Sequence, residues 1–222
     1  MKRIIFSILF SCALIGVSAQ ETVYPAGPQT QPIALTNGTI HVGNGQVIEK
    51  GTVIFDKGKI TAVSASATPP ANAKVIDCSG KHIYPGLILT NTQLGLVEFP
   101  SVRATIDGTE IGELNASIRS IVAYNADSRV INTLRPTGIL LANVVPSGGL
   151  IKGLSSVVQL DAWNWEDAAY KMDNGVHVQL PFLLARTGRR GTFGGAQAPV
   201  DPIKRGLEQI EDIKNFFREA KA

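Results

Sequence analysis

The sequence predicts an α/β chain in which a small all-β module precedes strands alternating with helices. Three observations carry this expectation. From Ile33 to about Tyr84, short β-branched runs alternate with Gly and Asn punctuation, and no helix of useful length fits before residue 100. From Asp127 to Leu180, helix-like and strand-like segments take turns. From Pro202 to Ala222, residues Ile203, Leu207, Ile210, Ile213, Phe216 and Phe217 recur at the spacing of one apolar helical face.

Within the β module the runs are Ile33–Leu35, Thr39–Val42, Thr52–Phe55, Lys59–Val63, Lys74–Asp77 and His82–Tyr84, separated by turn signals such as Asn37-Gly38 and Gly43–Gly45. The strongest hairpin is Thr52–Phe55 with Lys59–Val63, because Gly58 supplies the positive φ that a tight turn between strands requires. Further on, a helix is expected over Asp127–Leu134, bounded by Pro136 and Gly138, then a strand over Ile139–Val144, a helix over Trp165–Met172 and a strand over Val176–Leu180.

Composition sets outer limits. The 222 residues are 44% hydrophobic and 18% charged, enough apolar surface to fold and few enough charges to argue against long disorder. One or two domains fit this length. The formal charge of +3 falls to +1 once Lys2 and Arg3 are set aside, so a basic nucleic-acid binder is not expected. Residues 1–19 read as a Sec-type signal peptide. Lys2 and Arg3 begin it, Ile4–Val17 is its weakly polar to apolar run, and Val17-Ser18-Ala19 is a small-residue cleavage site before Gln20. That run is shorter than the roughly 20 residues of a membrane span, so the expectation is export to the periplasm or medium with no stable membrane span. Lipidation at Cys12 is the weaker alternative. Residues 20–32, broken by Pro25, Gly27, Pro28 and Pro32, read as a linker. With Cys12 removed, Cys78 has no disulfide partner and reads as a small buried hydrophobe beside Val75 and Ile76.

A family resemblance emerges at Tyr84-Pro85-Gly86-Leu87-Ile88. Together with Leu35-Thr36-Asn37-Gly38-Thr39-Ile40, the hairpin at Gly58 and Val75-Ile76-Asp77-Cys78-Ser79-Gly80-Lys81, this segment resembles the N-terminal part of the amidohydrolase superfamily, in its imidazolonepropionase-like branch. Gly138–Leu141 and Val145–Gly153, followed by Ser155–Leu160, are similar to the second barrel strand and its Gly-rich loop, so the resemblance runs from Ile33 to Leu160. It implies a β-sandwich module over 33–86 leading into a (β/α)8 TIM-type barrel from 87. A full barrel takes about 250 residues, whereas 136 follow Gly86, so the expectation for 87–222 is a partial barrel with an open sheet edge.

The resemblance also implies a divalent metal such as zinc, held by an Asp-x-His-x-His run after Pro-Gly-Leu-Ile. Here Leu89, Asn91 and Gln93 occupy those three positions. Neutral amides are poor zinc ligands. The sequence holds three histidines, of which His41 and His82 fall in the β module. No metal or other cofactor is therefore expected on this chain, and its catalytic residues are not identifiable.

The candidate ligand-binding residues are Asn91, Gln93, Trp163, Trp165 and His177. Each has a structural alternative. His177 also reads as an ordinary strand histidine, and the two tryptophans as packing beside a helix capped by Asn164, with Glu166 and Asp167 in its first turn. Ser155-Ser156 lacks a nucleophile elbow. The loop Ser147–Gly153 lacks the Lys-Ser/Thr ending of a phosphate loop, and Arg186–Gly191 is a basic Gly loop that reads as solvated or as an anion clamp.

Three functional readings follow. One is an exported amidohydrolase-family hydrolase of C–N bonds in amides or cyclic amides, in a truncated or metal-site-degenerate form. Another is a non-catalytic protein holding a small amide or peptide-like ligand on the same scaffold. The third is half of a split assembly, in which a complementary chain or a second copy covers the open barrel.

Overall fold

The computed structural model describes residues 24–183 and 201–222. The signal segment 1–19 and the basic Gly loop 186–191 lie outside the described residues. What is described consists of two mixed sheets with few helices.

The first sheet contains β1 (Ile33–His41), β2 (Val47–Asp56), β3 (Lys59–Ser64), β4 (Lys74–Asp77) and β5 (His82–Ile83). Its order is β3-β2-β1-β4, with β5 also pairing β1. The β2–β3 hairpin forms where the sequence places it. Asp56 pairs Lys59 across Lys57-Gly58, and both loop residues have positive φ, 48° and 72°, which matches the right-handed twist of the strands. The runs on either side of Asn37-Gly38 differ from expectation. They form one strand, β1, which absorbs Asn37 at φ 61° as an irregularity in its pairing with β2. The pairing is also not that of two facing layers. β4 and β5 follow one another along the same edge of β1, at Ile33–Thr36 and Thr39–Ile40, so all five strands share one sheet. Cys78 is buried beside it, as its apolar neighbours suggest.

The second sheet has the order β6 (Leu87–Thr92), β7 (Ile139–Val144), β8 (Ile151–Gln159), β9 (Ala169–Val178). β6 and β7 are parallel, joined by a long excursion that ends in α1 (Arg129–Leu134) and a single 3-10 turn closed by Gly138 at φ 89°. This is one β/α step, and the alternation stops there. Val145–Leu150 is too short for a crossover, so β8 returns antiparallel to β7, and β9 is antiparallel to β8.

The helix expected over Trp165–Met172 shrinks to α2 (Trp165–Ala168). The Asn164 side chain accepts the Asp167 N–H at 2.8 Å, the cap that the sequence suggests. Beyond it, Ala169–Val178 gains a full ladder along β8, and Gly175 weakens any helical competitor. The strand expected over Val176–Leu180 is the tail of β9. The final helix, α3 (Pro202–Lys221), starts at Asp201, whose carboxylate accepts the Ile203 N–H, with Pro202 in its first turn. Gly206 and Ile213 are buried, while Ile203, Leu207 and Phe217 remain exposed. No helix among the described residues is long and apolar enough to cross a membrane.

The main core joins the second sheet to the excursion. Ala142, Val144 and Val158 from the sheet pack with Leu94, Leu96, Ile121 and Tyr124 from the excursion and Ile131 from α1. Residues 109–119 run alongside the first half of β8, with bridges Thr109–Ser147, Leu114–Ile151 and Arg119–Leu154. β7 reaches along β8 only to Ser156, so the excursion fills the edge that β7 leaves. Two glycines permit the approach. A β-carbon on Gly149 would meet the Gly112 and Glu113 carbonyls at 2.8 Å, and one on Gly153 would meet the Ile118 carbonyl at 2.6 Å. The Gly-rich loop thus serves as a docking rail for the chain's own backbone.

Candidate functional site

In parallel β/α architecture, ligands lie beyond the carboxyl ends of the strands, where loops diverge. β6 and β7 are the parallel pair of the second sheet. Past their ends, at Leu96 and Pro146, lies a cleft of about 350 Å³. The excursion supplies the polar side of this cleft with Asp107, Thr109, Glu110 and Arg119.

The excursion is tied to the end of β7. The Ser147 N–H and hydroxyl both donate to the Gly108 carbonyl, at 2.6 and 3.0 Å, and the Thr109 and Ser147 hydroxyls are 2.7 Å apart. Ser120, fully buried, donates to the Val144 carbonyl at 2.9 Å. Arg119 is fixed from β9. Its Nε lies 2.9 and 3.0 Å from the two Asp173 oxygens, and a terminal nitrogen lies 2.8 Å from Oδ2. That hydrogen-bonded fork raises the guanidinium pKa further, so Arg119 is a permanent cation held in place. The cleft therefore offers carboxylates and the Thr109 hydroxyl oxygen, which accept from N–H donors, and an apolar wall formed by Leu96, Val122 and Pro146. Such a surface suits a small polar amide better than an extended apolar ligand.

The residues singled out from the sequence fall in separate places. Gln93 sits at the cleft rim, its amide nitrogen 3.5 Å from where a β-carbon on Gly108 would stand. Asn91 is exposed at φ 51°, within an irregularity where β6 inserts an extra residue between Leu89 and Thr92 opposite β7. His177 pairs with Gly153 on β8, and burial followed by the Lys152 charge lowers its pKa, keeping the imidazole neutral at pH 7. Trp163 and Trp165 lie at the other end of the sheet. His177 lies eight positions along β9 from Ala169, roughly 25 Å of strand. Trp165 packs against the core, while Trp163 is exposed with its ring 5.6 Å from that of Tyr24. The five residues do not line one pocket. Ser155 and Ser156 are fully buried, spanning β8 and β9 through the Gly175 carbonyl and the Asp173 N–H.

The cleft residues themselves went unnoticed in the sequence. Asp107, Thr109, Glu110 and Arg119 belong to an irregular segment without periodicity, and only their docking on β8 brings them together.

The donor set at the end of β6 does not fit zinc. Leu89 offers no ligand atom, Asn91 and Gln93 offer neutral amides, and the extra residue breaks the alternation that would aim them together. Among the described residues, no group of three or more His, Cys, Asp and Glu side chains is placed to hold a metal ion.

No family model matches the chain. It is 32% identical over 112 residues to an imidazolonepropionase of Mesorhizobium japonicum, an overlap covering 45% of this chain and 27% of that protein. It is 26% identical over 158 residues to a dihydropyrimidinase of Dictyostelium discoideum, covering 68% of this chain and 27% of that one. Among solved structures, an amidohydrolase from Thermotoga maritima superposes with a TM-score of 0.67 at 19% identity, over 85% of this chain and 47% of that chain. The chain thus spans about a quarter of the length of these curated relatives, and the Thermotoga likeness concerns the fold alone.

Proposed function

We propose that the chain is an exported, metal-site-degenerate member of the amidohydrolase superfamily, whose scaffold derives from hydrolases of C–N bonds. In this reading the cleft beyond β6 and β7 binds a small amide or cyclic amide without turning it over. The observation that carries it is the irregular strand β6 and its end, where Leu89, Asn91 and Gln93 stand in place of an acid and two imidazoles. The same proposal takes residues 33–86 as one module and 87–222 as the other, with 20–32 as the linker behind a cleaved signal.

The residues present divide the work. Asp107, Thr109 and Glu110 receive the N–H groups of the ligand. Arg119, held by Asp173, faces its carbonyl or carboxylate oxygen, and Leu96 and Pro146 exclude water from its apolar edge. The test is a panel of dihydropyrimidines, imidazolones and N-acyl amines, read for thermal stabilisation and for hydrolysis. Stabilisation that Thr109→Val and Glu110→Gln abolish, without hydrolysis, is the expected result. Hydrolysis by the purified protein overturns the reading.

A second reading rests on the sheet edge. Leu87, Ile88 and Leu140 are exposed, and the outer edge of β6 pairs with no strand among the described residues. In this reading further polypeptide, from the same chain or a partner, covers that edge. Intact mass of the native protein and of anything that co-purifies tests it.

A further inference from the structure

The segment ahead of β1 is fastened to both sheets. On the first sheet, the Gln29 side-chain N–H donates to the Phe55 carbonyl at 3.0 Å, and its amide oxygen accepts the Gly58 N–H at 3.4 Å, so one side chain holds the β2–β3 hairpin at the end of β2 and at its turn. On the second sheet, Asp161 Oδ2 accepts the Ala26 N–H at 3.1 Å, while the other carboxylate oxygen pairs with Arg135. The Tyr24 ring lies 5.6 Å from that of Trp163, two residues beyond Asp161. The two sheets share no strand pairing, and among the described residues the main core takes nothing from the first sheet. The chain passes directly between them over Tyr84-Pro85-Gly86, from β5 to β6. Bodies joined by a short connection and a small contact move relative to one another unless something holds them.

We propose that residues 24–31 are a strap that sets the angle between the two sheets, with Tyr84-Pro85-Gly86 as the hinge it restrains. Gln29 and Asp161 are its anchors. Gln29 bonds to backbone on the hairpin, and Asp161, fixed by Arg135, takes a charge-assisted bond from Ala26. Three residue steps separate Ala26 from Gln29, at most about 11 Å of extended chain. The strap therefore has little slack, and movement of either sheet away from the other breaks an anchor. Asp161 stands near the start of β7, where the Leu160 N–H donates to the Leu140 carbonyl, whereas the cleft lies past the end of that strand. The strap thus stands or falls independently of the proposed function.

The test is the distance between nitroxide labels on the two sheets, measured by pulsed electron paramagnetic resonance. The labels go on Lys59→Cys in β3 and Lys171→Cys in β9, both exposed, in the full chain with Cys12→Ser, Cys78 being buried. A single narrow distribution is expected, which Gln29→Ala and Asp161→Ala each broaden at least twofold and Gln31→Ala leaves unchanged. In Gln29→Ala the Ala26 amide is also expected to exchange its hydrogen at least five times faster, because an anchor on the first sheet then governs a bond on the second. An unchanged far-ultraviolet circular dichroism spectrum separates loss of the strap from loss of fold. Asp161→Ala also releases Arg135, so Gln29→Ala, which touches the strap alone, decides where the two differ. A parent distribution as broad as those of the variants, or an unbroadened distribution in Gln29→Ala, overturns the proposal.

Discussion

The carbonyl oxygen of Ile118 stands 2.6 Å from where a β-carbon on Gly153 would sit, and Gly153 itself has φ 120°. A side chain there meets rigid backbone in a conformation that L-residues avoid. Gly153→Ala is expected to push residues 109–119 off β8 and to destabilise the protein by about 1–3 kcal/mol. Urea denaturation reads this directly. An unchanged midpoint means that the excursion does not dock on β8 as described.

Tyr124 offers the opposite sign. Its ring is buried in the main core, its hydroxyl has no hydrogen-bond partner among the described residues, and burial followed by the Glu98 charge pushes its pKa up, so the group stays neutral. Removing a buried polar atom that has no partner is neutral or stabilising. Tyr124→Phe is expected to hold or raise the melting temperature, whereas a fall of several degrees means that the hydroxyl is satisfied.

His177 sets a pH window. Burial and Lys152 lower its folded-state pKa below the 6.5 of a free histidine, so the unfolded chain binds the proton more readily. The stability linked to this residue is fully present above about pH 6.5 and is lost as pH falls through the depressed folded value. In urea midpoints measured between pH 5 and 8, His177→Gln is expected to flatten that limb of the profile. An acid limb of the same size in the variant assigns the loss to other groups.

The local elements were legible where turn chemistry and periodicity agree. Lys57-Gly58 announced its hairpin, Ile139–Val144 its strand, and the spacing from Ile203 to Phe217 its helix. Trp165–Met172 misled because a capping residue followed by acids marks a helix start but not its length, and the ladder along β8 claimed the chain after Ala168. The cleft was illegible for a different reason. Asp107 and Arg119 are ordinary surface residues in an irregular segment, and only the approach allowed by Gly149 and Gly153 places them. Asn91 was legible as a missing ligand but not as a left-handed residue that breaks the strand.

That break makes restoration of the metal pair instructive. Introducing Asn91→His and Gln93→His supplies the ligand types but leaves the extra residue between Leu89 and Thr92. The double variant is expected to take up no stoichiometric zinc by equilibrium dialysis. One bound zinc per chain means that β6 can realign and that residue type alone disabled the site.

The most direct measurement is hydrolysis of dihydropyrimidine, imidazolone and N-acyl amine substrates by the purified protein, with and without added zinc, alongside thermal stabilisation by the same compounds. The account predicts stabilisation that is lost in Thr109→Val and Glu110→Gln, with hydrolysis at the background rate under both conditions. Zinc-dependent hydrolysis that a chelator abolishes contradicts it, because a catalytic metal then binds despite Leu89, Asn91 and Gln93.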